Sequence, residues 1–204
     1  MFDEVIEKIK KVENGFKEIE READLIFKNY SVEDCFALAK EFYLSDFYQV
    51  RSLGVFICGS ISSRLKEALV FLKERVSLDE SWQVQEILAK AFDTYCHGTG
   101  YENALPVIKE WLNDSNPNVR RAVTEGLRIW TGRDYFKQNP GTAIGLLSNL
   151  RDDKSDYVRR SVGNALRDIS KKHGEVVAAE LQSWDLSNKS VLQVYKLAGK
   201  FLSR

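Results

Sequence analysis

Apolar residues recur along much of the chain at i, i+3, i+4, i+7 and i+8, the spacing that lines one side of an α-helix. Four segments align on a valine: Gln49-Val50-Arg51-Ser52-Leu53, Gln83-Val84-Gln85-Glu86-Ile87, Asn118-Val119-Arg120-Arg121-Ala122 and Tyr157-Val158-Arg159-Arg160-Ser161. The valines stand 34, 35 and 39 residues apart. Downstream, Ile87, Leu88, Ala91 and Phe92 fall in register with Ala122, Val123, Gly126 and Leu127, and with Ser161, Val162, Ala165 and Leu166. Each such helix follows another: Ala104, Leu105, Ile108 and Trp111 precede Ala143, Ile144, Leu147 and Leu150 by 39 residues, Leu65, Leu69 and Leu72 begin an earlier copy, and Val176 to Trp184 a later one.

Two helices per unit at this period predict an all-α fold, a HEAT-like helical repeat solenoid (an α-α superhelix). Residues 1–204 read as a single repeat domain, with 1–30 a charged, weakly patterned N-terminal capping helix. Asn113-Asp114-Ser115-Asn116-Pro117 and Asp152-Asp153-Lys154-Ser155-Asp156 supply turn and cap residues between paired helices. Trp111 and Trp184 are core expectations, and His97 is placed in a loop between helix pairs.

Composition narrows the class. The chain is 44% hydrophobic, which argues against wholesale disorder, and holds only three prolines, few for a β-sandwich of this size. No apolar run is long enough to span a membrane, and the charged, amphipathic segment 1–11 is unlike a secretory signal. Three widely spaced cysteines without a CxxC pair, and two histidines outside zinc-ligand spacing, predict a reduced, cytoplasmic protein with buried thiols and no structural metal; a monomer without cofactor is expected.

Net charge is zero, but residues 1–100 carry 13 Lys and Arg against 18 Asp and Glu, while residues 101–204 carry 17 against 12. The basic half points to an anionic partner, with an uneven solvated surface as the plainer reading. Equivalent positions in the repeats form rows: Ser52, Glu86, Arg121 and Arg160; Phe56, Lys90, Glu125 and Asn164; Gly59, Asp93, Arg128 and Arg167. They flank the buried stripe and are expected to be partly accessible. Arg121, Glu125 and Arg128 share a helical face, as do Arg160, Asn164, Arg167 and Lys171. Arginine rows suit a duplex phosphate backbone. The interspersed carboxylates have two readings, weak ion pairs on the surface or groups placed where positive charge develops on bound nucleic acid.

The segment from Tyr157 to Lys171 resembles the most characteristic stretch of the bacterial DNA alkylation repair proteins with HEAT-like repeats, the AlkC/AlkD superfamily. Val119 to Arg128 and Trp82 to Glu86 resemble two further motifs of that family. The resemblance implies a DNA glycosylase that excises cationic N3- or N7-alkylated purines from double-stranded DNA by hydrolysing the N-glycosidic bond. It assigns catalysis to Glu86, with Glu125 and Asp168 at acidic positions of the AlkC-like branch. Trp82 and Trp130 become lesion-contacting aromatics, drawn to the cationic base through their ring faces. Arg120, Arg121, Arg128, Arg159, Arg160, Arg167 and Lys171 become DNA-binding residues. Asn164 departs from the pattern, since the AlkD-like branch has tryptophan there. A non-catalytic DNA-binding member of the family, or a helical-repeat protein-interaction scaffold, would share the same fold.

Overall fold

The computed structural model describes residues 2–202. Among them the regular structure is entirely helical, and no helix is long and apolar enough to cross a membrane. The chain divides at Thr99/Gly100 into two compact units. The first contains α1 (Asp3–Ile9), α2 (Lys17–Asn29), α3 (Val32–Tyr43), α4 (Tyr48–Ile61), α5 (Lys66–Glu74) and α6 (Trp82–Thr99). The second contains α7 (Leu105–Leu112), α8 (Pro117–Gly126), α9 (Asp134–Gln138), α10 (Pro140–Ser148), α11 (Asp156–Gln182) and α12 (Lys189–Ala198).

The aligned valines Val50, Val84, Val119 and Val158 are all buried, each in the first turn or so of its helix. In the first unit α4 packs on α2, α3 and α6; in the second α11 packs on α8, α10 and α12. Second helices of successive pairs therefore lie side by side within each unit, as the repeat predicts. Small residues permit the close approach. A Cβ added to Gly163 on α11 would sit 2.6 Å from Cβ of Leu197 on α12, and one added to Gly59 on α4 would sit 2.8 Å from Cα of Ala91 on α6.

The N-terminal segment is two helices rather than one. The chain turns at Asn14-Gly15, where Gly15 has φ +76°, a left-handed conformation that costs glycine little. Nor is the segment weakly patterned: Ile19, Ala23 and Ile26 bury one stripe of α2 against its unit. His97 is also corrected, since it lies in the last turn of α6, which ends before Gly100 at φ +87°. Helix α11 carries a break at His173 (φ −130°, ψ 47°), so the part before it completes one helix pair and the part after it, with Val177 and Leu181 buried, begins the next. Trp111 and Trp184 are buried, and so are Cys35, Cys58 and Cys96. Burial pushes the Cys58 thiol up to about 12, which leaves it a poor nucleophile at neutral pH.

One contact recurs in both units. Arg51 donates from Nη1 to the carbonyls of Ser45 (2.9 Å) and Asp46 (3.0 Å), and from Nε to Asp79 (2.8 Å). Arg120 repeats this with the carbonyls of Asp114 (2.7 Å) and Ser115 (3.0 Å) and with both oxygens of Asp153 (2.7 Å each). Arg159 does the same with the carbonyls of Asp153 (2.6 Å) and Lys154 (3.2 Å), and Gln193 replaces the aspartate at 2.9 Å. Gln85, at the equivalent position of α6, donates to the carbonyls of Val76 (3.1 Å) and Asp79 (2.8 Å). Each side chain thus satisfies the turn inside its own helix pair, and each arginine also reaches the following pair. Each receiving aspartate is already folded into a turn: Asp79 and Asp153 accept from the backbone N–H two residues on, at 2.9 and 2.8 Å, and Asp114 makes the same turn bond at 2.8 Å.

The Arg120–Asp153 pair is largely buried, with 12% and 5% of the side chains exposed. Removing one partner leaves the other charge uncompensated. Asp153→Ala is expected to lower stability in urea unfolding by about 3 kcal/mol or more, whereas Glu7→Ala, breaking the exposed pair with Lys10, should cost less than about 1 kcal/mol.

Candidate nucleic-acid interface

In the first unit, Trp82 opens α6 and is 63% exposed. Glu86, half-buried, lies one helical turn further on the same face, and exposed Lys90 one turn beyond that. Lys90 reaches Glu20 at 3.6 Å and lies 5.7 Å from the Phe56 ring centre. An exposed indole and a carboxylate are therefore presented together, a pairing suited to a cationic ring system with an electron-poor sugar beside it. The expectation of accessibility fails for Ser52, Phe56 and Gly59, all buried because α4 is the central helix of its unit.

In the second unit the cations cluster just after α8, at Arg128, and on α11. Asp168 is their hub: Oδ2 accepts from Arg128 Nε (3.0 Å), Oδ1 accepts from Lys171 Nζ (2.9 Å), and Arg167 lies 3.6 Å away. Burial alone would raise the Asp168 carboxyl, but the bonds from Lys171 and Arg128, with the fields of Arg128 and Arg167, hold it below the ordinary carboxylate range. Glu125 joins the cluster at 3.6 Å from Arg128. Arg160, with 66% of its side chain exposed, pairs through Nε with Asp156 at 2.7 Å, and Lys171 is exposed at the other end of the same face.

Five residues sit differently from their sequence assignments. Trp130 is fully buried after α8, with its ring edge-to-face against Phe136 at 4.9 Å, so it belongs to the core and is out of reach of a base. Arg120 and Arg159 are committed to the inter-helix turns and do not offer their guanidinium groups to phosphate. Asp168 accepts a hydrogen bond on each oxygen and so holds Arg128 and Lys171 in place. Arg121 is 6% exposed, its guanidinium 4.1 Å from the centre of the half-exposed Tyr157 ring; it is stacked rather than projecting. The second unit brings together Glu125, Arg128, Arg167, Asp168 and Lys171, with Arg160 further along α11.

Two surface residues escape the sequence reading. Tyr157 appears there only as the residue before an aligned valine, although its ring covers Arg121. Lys196 goes unnoticed because the valine alignment ends at Val158 and gives α12 no row; the buried spacing Val191, Val194, Ala198 was the available signal.

Comparison with known proteins places the chain in a family. The profile of the DNA alkylation repair enzyme family matches residues 15–191, and the chain belongs to that family. The crystal structure of AlkD2 from Streptococcus mutans superposes with a TM-score of 0.96 at 51% identity, covering 98% of this chain and 97% of that one. The structure of smu.31 from Streptococcus mutans UA159 gives 0.92 at 49% identity, covering 99% and 100%. The Pseudomonas fluorescens alkylpurine DNA glycosylase AlkC, bound to DNA containing an abasic site analog, shares the fold at a TM-score of 0.52 and 23% identity, over 99% of this chain and 62% of that chain. The uncharacterized protein YhaZ of Bacillus subtilis is 33% identical over 87 residues, and this chain spans about a quarter of its length.

The lowered Asp168 carboxyl has a consequence for stability. A folded value below the unfolded one stabilises the protein above the unfolded value, near pH 4, and the contribution disappears as pH falls through the folded value. Urea unfolding should therefore show a stability gap between wild type and Asp168→Asn that is constant from about pH 7 to pH 5 and closes below about pH 4.

Proposed function

We propose that the protein binds double-stranded DNA in alkylation repair, gripping phosphates with the exposed cations of its second unit. The observation that carries this reading is the α11 face: Arg160 and Lys171 stand exposed about three turns apart, with Arg128 and Arg167 held by carboxylate contacts. Such a face follows a duplex backbone without reading sequence. Family membership and the DNA-bound state of the AlkC neighbour support the same partner.

A second reading, excision of cationic N3- or N7-alkylated purines, rests on Trp82 and Glu86. The purine already bears positive charge, so it leaves with the electron pair of the N-glycosidic bond and needs no general acid. The sugar left behind is oxocarbenium-like, Glu86 would stabilise it, and water adds at C1′ with loss of a proton. This reading stands second because Trp130 is in the core and Asp168 is engaged on both oxygens. The scaffold reading has less support, since the exposed side of α11 is charged.

Duplex affinity is expected to fall steeply with salt, and Arg160→Ala or Lys171→Ala should each flatten the log–log slope by about 1. Affinity indifferent to salt would overturn the grip. On methylated DNA the DNA-binding reading predicts no release of 3-methyladenine or 7-methylguanine; release that Glu86→Gln abolishes, with binding intact, would place excision first.

A further inference from the structure

The turn inside each helix pair is apolar at its tip in the first unit and polar in the second. Six residues before the aligned valines stand Leu44 and Leu78 in the first unit, against Asn113 and Asp152 in the second. Leu44 is 84% exposed, Leu78 68%, and Phe47, just before α4, 48%. The turn itself does not require them. The second unit makes the same arginine-to-turn contacts with asparagine, aspartate and serine in their places.

The two apolar turns are neighbours. Arg51 bonds the carbonyl of Asp46 in one and the carboxylate of Asp79 in the other, at 3.0 and 2.8 Å. Beside them the Tyr43 hydroxyl donates to the carbonyl of Arg75 at 3.4 Å, and the Tyr43 ring meets Phe71 edge-on at 5.3 Å. Leu44, Phe47 and Leu78 thus share one edge of the unit. Single exposed apolar residues are ordinary, but a group of them on one edge marks a contact surface. Trp82 borders this edge and belongs to the interface described above.

Charge selects what the edge can hold. Within three residues of Leu44, Phe47 and Leu78 the chain carries Glu41, Asp46, Asp79 and Glu80 against Arg75. Asp79 is spent on Arg51, and Lys10, 4.6 Å from the Phe47 ring centre, is met by Glu7 at 2.7 Å. Among the described residues the exposed Asp46 and Glu80 carboxylates are in no ion pair. Such an edge repels duplex DNA and anionic lipid headgroups, and complements a cationic partner with apolar groups of its own. Neighbouring helices in a stack lie about 8–10 Å apart, close to the roughly 10.5 Å rise over seven residues of an α-helix. A helix laid along the edge can therefore set one apolar side chain on Leu44 and another, seven residues on, at Leu78.

We propose that Leu44, Phe47 and Leu78 form a docking edge for a basic amphipathic helix of a partner protein, whose Lys or Arg side chains meet Asp46 and Glu80. The inference goes beyond the DNA-binding reading and does not depend on it, since the phosphate-gripping cations belong to the second unit.

A fluorescein-labelled helical peptide of about 18 residues, with leucines three, four and seven apart and lysines elsewhere, can be titrated into the full-length chain and followed by anisotropy. The same peptide with glutamate for lysine is expected to bind at least about tenfold more weakly. Leu44→Ser with Leu78→Ser, and separately Asp46→Lys with Glu80→Lys, should each weaken the lysine peptide about tenfold or more. All four side chains are exposed, so helical circular dichroism and melting temperature should stay at wild-type values. The leucine variant should also keep duplex affinity within about threefold. Failure of the lysine peptide to bind, equal affinity for the two peptides, or binding unchanged in both variants overturns the inference. Three other outcomes reassign the edge and overturn it too. A molar mass that rises with protein concentration, and stops rising in the leucine variant, gives the edge to a second copy of this chain. Binding to phosphatidylglycerol vesicles that the leucine variant abolishes gives it to a membrane. Loss of duplex affinity in the leucine variant gives it to DNA.

Discussion

Every helix pair in this fold has to turn sharply between its two helices, and every turn leaves backbone carbonyls that need donors. Before α4, α6, α8 and α11 a first-turn arginine or glutamine supplies them. Arg51, Arg120 and Arg159 each bond two turn carbonyls and then reach an acceptor in the next pair, Asp79, Asp153 or Gln193. Planar guanidinium groups suit this work, because a fixed fork of five donors can serve a turn and a carboxylate together. The contact also sets the register between successive helix pairs within each unit, and so decides where the neighbouring side chains emerge.

That register separates adjacent arginines by function. Arg120 and Arg159 follow the aligned valines by one residue and point into the turns; Arg121 and Arg160 follow by two and lie on the helix flank. Even there the flank is not uniform. Arg160 is exposed, while Arg121 is covered by Tyr157. Carboxylates on the same surface are not blemishes in a phosphate grip. Asp168 gathers Arg128, Arg167 and Lys171 into a fixed array, which limits the side-chain entropy that loose cations lose when they bind phosphate.

The repeat was legible because burial imposes a helical period that survives in sequence: the four valines and the positions three, four, seven and eight residues later mark the stacked helices. The split at Gly15 was legible too, in Asn14-Gly15, yet the surrounding charge masks the Ile19, Ala23 and Ile26 stripe. Individual arginines were harder. A vicinal Arg-Arg pair at 120–121 or 159–160 reads as a basic patch, and only the aspartate or serine six residues upstream, Asp114, Asp153 and Ser45 before Arg120, Arg159 and Arg51, betrays the turn contact. Trp130 could not be placed by helical spacing, because α8 ends at Gly126 and the chain folds back through a short 3-10 turn that carries the indole inward. Lys196 depends on the pairing of α11 with α12, information that no local pattern contains.

The division of the arginines can be measured directly by mass-spectrometric footprinting of arginine and lysine side chains with and without a DNA duplex. The account predicts that Arg160 and Lys171 react readily in the free protein and are protected by the duplex, while Arg51, Arg120 and Arg159 stay unreactive in both states. Ready labelling of Arg120 and Arg159 in the free protein, with protection by DNA, would contradict it.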